Sequence, residues 1–329
     1  MGVLEKNKTV RLLFPIFLFL LGVYTCTAQS SAHSAYQKPI TVSTDFADME
    51  NVMADLANTI INDTVYAHRL EANEKLVPLM RHFLSTPQSF DYAFKKLEAI
   101  SVLQPADKSF RLISWAFYTS DIESKHFGFI QLNKPKSTFI ELKEQTLNVN
   151  SIPLDETLTA ENWLGALYYN IKPFKTKGGT KYLLFGLNLG NGAEKTKMCE
   201  VLTVKGNHIS LGAPVFENTE KHNAKKKYRI AITFSGEAGM RLNYDEEMKE
   251  IVFDHVQEVP TNEGMTYVPD GTYEAYQLKK GVWQYIEKLA NTEMSEAPRP
   301  KPILGQRIKV RDANRDEAKS FQWPEKIRN

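Results

Sequence analysis

From Phe110 onward, short segments rich in aromatic and β-branched residues follow one another, and this pattern constrains the fold more than any other feature of the chain. Connections such as Lys177-Gly178-Gly179 and Lys205-Gly206-Asn207 are too short for the crossover that parallel strands need. The strands are therefore expected to be antiparallel. They are predicted at 110–119, 126–132, 138–142, 166–174, 180–188, 199–204, 208–212, 228–235, 239–245, 250–256, 272–278 and 282–287.

The residues before this β-rich part are predicted to be helical. Apolar residues recur every three or four positions between 44 and 60, which places them on one helical face. A second helix is predicted over 64–84, kinked or divided by Pro78, and a third begins at Thr86-Pro87. The fold class is therefore α+β, with a helical region at 44–105 and a large, curved, mainly antiparallel β-sheet at 106–290.

The N-terminus predicts export. Three basic residues (Lys6, Lys8 and Arg11) precede an apolar run from Leu12 to Val23. A membrane-spanning helix needs about 20 apolar residues, whereas about 7–15 are typical of a cleaved signal. We therefore expect residues 1–29 to be a signal peptide that is removed after Gln29, and 30–43 to be a flexible segment. An uncleaved anchor, or acylation at Cys26, is the alternative.

Cleavage changes the charge and the cysteine count. The full chain has a formal net charge of +2, and removal of 1–29 leaves 38 basic and 38 acidic residues. A neutral protein has no overall field that attracts nucleic acid, so nucleic-acid binding is not expected. Cys199 becomes the single thiol, and its apolar neighbours indicate a buried side chain and not a reactive one. We expect an exported protein, periplasmic or secreted, that is not integral to the membrane.

The C-terminal segment at 291–329 has a different composition. Pro298, Pro300 and Pro302 indicate a stiff, extended linker. From Pro298 to Asn329 there are nine basic and four acidic residues, which gives this stretch of the tail a charge of +5. The tail is either solvated or docks on an acidic partner or surface through Phe321 and Trp323.

Several short segments between 110 and 287 resemble segments of other proteins. FRLISW (110–115), HFGFIQL (126–132), MRLNYDEEMKEIVFDHV (240–256) and YVPDGTYEAY (267–276) are similar to strings in a group of exported proteins of Bacteroidota. The resemblance implies a location in the cell envelope. It implies no activity and transfers no catalytic residues.

Known motifs for phosphate, calcium and metal binding are not matched. The glycines at 186, 190 and 192 lack the Gly-Lys-Ser/Thr ending of a phosphate-binding loop, so a plain turn is expected. Asp312, Asn314 and Asp316 match the spacing of the first ligands in a calcium-binding loop. The residues at the sixth and twelfth positions are not the ones that such a loop needs. The seven histidines show no metal-binding spacing. No cofactor is expected.

Known catalytic motifs are not matched either. Ser235 lacks the first glycine of a nucleophile elbow, and Glu246-Glu247 belongs to a predicted turn. Asp254-His255 is the most suggestive pair, yet adjacent strand residues point to opposite faces, so this aspartate cannot orient this histidine. A hydrolase would need Asp254 or His255 to meet another titratable group in a deep pocket.

The aromatic residues give the last candidates for a ligand surface. A sheet face with exposed rings could stack on a sugar or a peptide, and the alternative is a core that is rich in aromatic residues. The candidate ligand contacts are Trp115, Tyr118, Tyr168, Tyr169, Trp283, Asp254 and His255. The sequence favours a non-catalytic envelope binding protein, with a periplasmic hydrolase as the alternative.

Overall fold

The structure is a computed structural model and describes residues 45–145, 152–217, 225–261 and 264–287. The predicted signal peptide, the segment at 30–43 and the tail at 291–329 lie outside these residues. The described part contains two helices followed by strands. Their bounds are α1 Phe46–Asn62, α2 Tyr66–Ser85, β1 Ser101–Leu103, β2 Phe110–Ser120, β3 Glu123–Leu132, β4 Thr138–Leu142, β5 Leu167–Thr176, β6 Gly179–Asn188, β7 Glu194–Lys205, β8 His208–Leu211, β9 Arg229–Ser235, β10 Leu242–Asp245, β11 Glu250–Thr261, β12 Gly264–Lys279 and β13 Val282–Ile286.

The strands form three sheets. β1–β4 make the first sheet, β5–β9 the second and β10–β13 the third, and every pairing between these strands is antiparallel. The predicted helical region followed by antiparallel β-structure is confirmed. The prediction of one large sheet is wrong, because a twisted sheet seldom exceeds about ten strands without dividing into packed layers.

The hydrophobic clusters show how the layers stack. Ile113 and Trp115 on one face of β2 pack with residues of the two helices, whereas Phe110 and Leu112 on the opposite face pack with the second sheet. The second sheet is likewise covered on both faces, since its Phe185 belongs to a cluster shared with the third sheet. The result is a stack of four layers, one helical and three β. Residues 110–117 are all buried for this reason.

The helical prediction is partly wrong. α2 continues through Pro78 and is not divided. In place of the third helix there is only a 3₁₀ turn at Ser89–Asp91, preceded by Gln88 with a left-handed φ of 63°. The buried carboxylate of Glu50 in α1 accepts hydrogen bonds from the backbone N–H groups of Lys95, Lys96 and Leu97. Those N–H groups are therefore satisfied outside a helix.

A buried polar network lies between the first and second sheets. The Trp163 indole N–H donates to the Tyr168 hydroxyl at 2.8 Å, and this hydroxyl donates to Glu200. Arg229 pairs with Glu200 across β7 and β9, with Nε 3.7 Å from Oε2. All four residues are fully buried. Burial raises the pKa of Glu200, although the Arg229 charge opposes that shift.

Breaking this network tests its role in stability. Arg229→Met leaves Glu200 buried without its cation, and we expect a loss of about 3–5 kcal/mol in the free energy of unfolding. The double variant Glu200→Leu, Arg229→Met removes both charges and should lose less than Arg229→Met alone. Urea denaturation measures both effects. A loss below about 1 kcal/mol in Arg229→Met would show that the pair is not needed.

Candidate functional site

A cavity with a volume of about 620 Å³ lies between the start of β3 and the connection from β6 to β7. Its rim includes Ile122, which is 77% exposed, and the exposed charges of Glu123 and Lys125. Its floor contains the buried side chains of Leu142, Leu164 and Met198. This volume is in the range of pockets that bind small molecules.

The cavity exists because β4 covers only half of β3. β3 pairs with β2 along almost its whole length, but with β4 only from Gly128 to Leu132. Beyond that point Glu144 takes the place of a strand, since its Oε2 accepts the backbone N–H of His126 at 2.9 Å. A carboxylate thus satisfies an edge N–H that would otherwise lack a partner.

His126 is held in one orientation below this carboxylate. Its side chain is 1% exposed, and its Nδ1 lies 2.6 Å from Glu144 Oε1. The backbone N–H of Leu189 donates to its Nε2 at 3.0 Å. The neutral tautomer with the proton on Nδ1 satisfies both contacts, because a carboxylate can only accept and an N–H can only donate.

Two further residues adapt the backbone to this pair. Gly165 has φ of 77°, and a Cβ there would lie 2.3 Å from Glu144 Oε1 and 3.0 Å from His126 Nδ1. Asn188 donates from Nδ2 to the carbonyls of Leu164 and Gly165 at 3.0 and 2.9 Å. The arrangement requires glycine at 165 for both its backbone angle and its space.

The hydroxyl groups near His126 bind backbone instead of forming a nucleophile–base pair. Tyr118 donates to the Leu189 carbonyl at 3.0 Å, and burial raises the pKa of this phenol. Ser124 donates to the Gly190 carbonyl at 2.6 Å. The acceptor nitrogen of His126 is already used by Leu189, so it is not available to take a proton. The geometry suits binding better than acid–base catalysis.

The predicted aromatic contacts do not form one exposed face. Trp115 is buried against the helices, with its indole N–H donating to Asn73 at 2.8 Å, and Tyr168 belongs to the buried network. Tyr169 donates to the Leu242 carbonyl at 2.6 Å, and burial raises its pKa. Trp283 is 1% exposed in the cluster between the second and third sheets. Of these residues, only Tyr118 is bonded to the β6–β7 connection beside the cavity.

Asp254 and His255 have separate partners. Asp254 accepts the backbone N–H of Arg241 at 2.6 Å, and burial raises the pKa of its carboxyl. The Nδ1 atom of His255 lies 2.8 Å from Asp270 Oδ2, and this pair is partly exposed. Hydrogen bonds from Thr272 are the main reason why the pKa of Asp270 is lowered to about 2. Neither Asp254 nor His255 lines the cavity beside Glu144 or a second cavity beside Trp283.

The remaining sequence predictions concern Cys199 and the glycine cluster. Cys199 is fully buried, and burial raises the pKa of its thiol well above the usual range. Gly190 and Gly192 have positive φ angles and lie in the connection between β6 and β7, where a plain turn was expected. A Cβ at Gly190 would lie 1.9 Å from the Glu194 carbonyl oxygen, so the turn requires glycine.

Sequence reasoning missed His126 and Glu144 as a pair. They are 18 positions apart, and Leu189 is 63 positions from His126, so no spacing rule connects them. One signal was present. In HFGFIQL, His126 shares a strand face with Ile130 and Leu132, which predicts a buried histidine that needs a polar partner.

Within the described ranges, no three metal-binding side chains are grouped closely enough to hold an ion. Neither α1 nor α2 combines the length and the apolar composition of a membrane-spanning helix. Comparisons of the chain with protein families, curated proteins and solved structures gave no match.

Gly165→Ala tests the local geometry of the cavity. We expect it to destabilise the protein by about 2 kcal/mol or more, because alanine is strained at this φ and its Cβ displaces Glu144. Thermal unfolding and the side-chain NMR signals of His126 would report both effects. Gly239→Ala is the matched control, since a Cβ there meets nothing within 4 Å. Equal stability of the two variants would contradict the role given to Gly165.

Proposed function

We propose that the protein is an exported, non-catalytic binding protein of the cell envelope, and that the cavity beside Glu144 is its ligand site. The observation that carries the proposal is the combination of a cavity of about 620 Å³ with a histidine whose acceptor nitrogen is occupied. Such a site can enclose a small molecule, and its histidine is not available as a base. The resemblance of 110–287 to exported proteins of Bacteroidota supports the location.

The lining suggests how a ligand would be held. The apolar floor at Leu142 and Met198 would contact an apolar part of the ligand. The Glu144 side chain is 25% exposed, and in the neutral tautomer of His126 its charge is compensated by two uncharged donors. A polar hydrogen of the ligand would therefore find a charged acceptor there.

A periplasmic hydrolase is the second candidate, favoured by the His255–Asp270 pair. The Nδ1–Oδ2 distance of 2.8 Å resembles the orienting bond of a catalytic histidine. The His255 side chain is 42% exposed, so it is accessible to a substrate at the surface. The absence of both residues from the lining of the two cavities makes this candidate weaker.

Export can be tested directly. Protein purified from its native host should begin at Ser30, because the apolar run from Leu12 to Val23 is too short to stay in the bilayer as an anchor. N-terminal sequencing of the envelope fraction gives the answer. Material that begins at Met1 or Gly2 and is found in the cytosol would overturn the proposed location.

The ligand site can be tested by photocrosslinking in the native host. A benzoyl-phenylalanine at Ile122, on the rim, should give a discrete adduct that mass spectrometry can identify. The matched control is Met265, which is 54% exposed and does not line the cavity. Adding Glu144→Gln should lower the yield of the adduct about tenfold, since loss of a charged acceptor costs about 1.5–3 kcal/mol.

Two results would count against this proposal. An adduct at Met265 as strong as the one at Ile122, or one that Glu144→Gln leaves unchanged, would show that the cavity is not the site. Hydrolysis of ester, amide, glycoside or phosphoester substrates by the purified protein, abolished in His255→Ala, would favour the hydrolase. Melting curves of each variant establish that the comparison is made between folded proteins.

A further inference from the structure

A second cavity of about 440 Å³ lies where the edge strand β5 of the second sheet meets the hairpin turns of the third sheet. It is separate from the Glu144 cavity, and the two share no lining residue. Its lining includes Lys172, Phe174, Tyr244, Lys249 and Trp283.

Three aromatic rings form one wall of this cavity. The ring centroids of Phe174 and Trp283 are 5.7 Å apart with planes at 67°, and those of Tyr244 and Trp283 are 6.4 Å apart at 84°. Phe174 and Trp283 are also buried in the cluster between the second and third sheets. The rings are therefore fixed before any ligand arrives, which lowers the entropy lost on binding.

The charged residues that line the cavity are both lysines. The Lys172 ammonium lies 4.4 Å from the centroid of the Tyr244 ring, and Lys249 belongs to the turn between β10 and β11. Lys172 also pairs with Glu246, but that side chain is 70% exposed and does not line the cavity. An exposed ion pair of this kind is weak and can give way to a ligand anion. The two charged side chains of the lining are thus cations, and Lys172 would be shared between Glu246 and a ligand anion.

The indole N–H of Trp283 supplies an independent observation. It is buried and has no acceptor among the described residues. The two other tryptophans in the described part donate at 2.8 Å, Trp115 to Asn73 and Trp163 to Tyr168. Buried tryptophan N–H groups usually have a partner, so Trp283, whose ring lines the cavity, differs in this respect from the two other described tryptophans.

We propose that this second cavity binds a planar aromatic anion, an aryl carboxylate or sulfonate. The aromatic body packs against Phe174, Tyr244 and Trp283. The acid group lies beside the Lys172 ammonium. Both parts of such a ligand are needed, because the rings recognise the plane and the lysine recognises the charge.

NMR of the mature chain labelled with nitrogen-15 tests this proposal, with naphthalene-2-sulfonate as the probe. The probe should shift the indole N–H signal of Trp283, assigned with Trp283→Phe, and leave those of Trp115 and Trp163 in place. Lys172→Met should weaken binding about tenfold, as expected for the loss of a charged hydrogen bond. The matched control Lys125→Met removes a lysine from the rim of the first cavity and should bind the probe like the parent protein.

Other outcomes would overturn the proposal. A Trp283 signal that does not move at millimolar probe, or equal binding of 2-naphthylmethylammonium, would exclude an anion site. Equal affinity in Lys172→Met and the parent would do the same, once the spectra show that both are folded. Glu144→Gln should leave this titration unchanged, so failure at one cavity is distinguishable from failure at the other.

Discussion

The burial of Glu200 and Arg229 inside the stack is the constraint on which the rest of the structure depends. The second sheet is covered on both faces, so any charge that points inward must find its partner there. These two residues are neighbours across β7 and β9, and Tyr168 and Trp163 extend their network toward the first sheet. A slip of one residue between β7 and β9 would turn the two charges to different faces. The network therefore stabilises one register of the strands.

Carboxylates serve the same purpose elsewhere in the stack. Glu50 binds the backbone that follows the helices, and Glu144 takes over the edge of β3 where β4 ends. In each case a charged acceptor satisfies N–H groups that regular secondary structure leaves without a partner. These contacts join segments that lie 18 to 47 positions apart in the chain. The ends of the layers are thus closed by side chains, and the cavity beside Glu144 is one consequence.

Local patterns predicted the elements well and the layers poorly. The bounds of β4, 138–142, were read correctly because the alternation and the turns are encoded within a few residues. The prediction of a third helix was wrong because Glu50, about 45 positions away, binds the N–H groups that a helix would have used. The division into three sheets, and the pairing of His126 with Glu144 and Leu189, depend on contacts between distant segments. No periodicity in a single sequence carries that information.

The buried aromatic residues differ in whether their hydrogen bonds are completed within the protein. Trp115 and Tyr168 complete their hydrogen bonds inside the protein, and their rings fill the core between layers. Trp283 is equally buried, yet its indole N–H has no acceptor in the described part of the chain. It also lines a cavity whose charged lining residues are both lysines. A buried donor without an acceptor costs free energy, and Trp283 is the tryptophan of the described part that carries this cost.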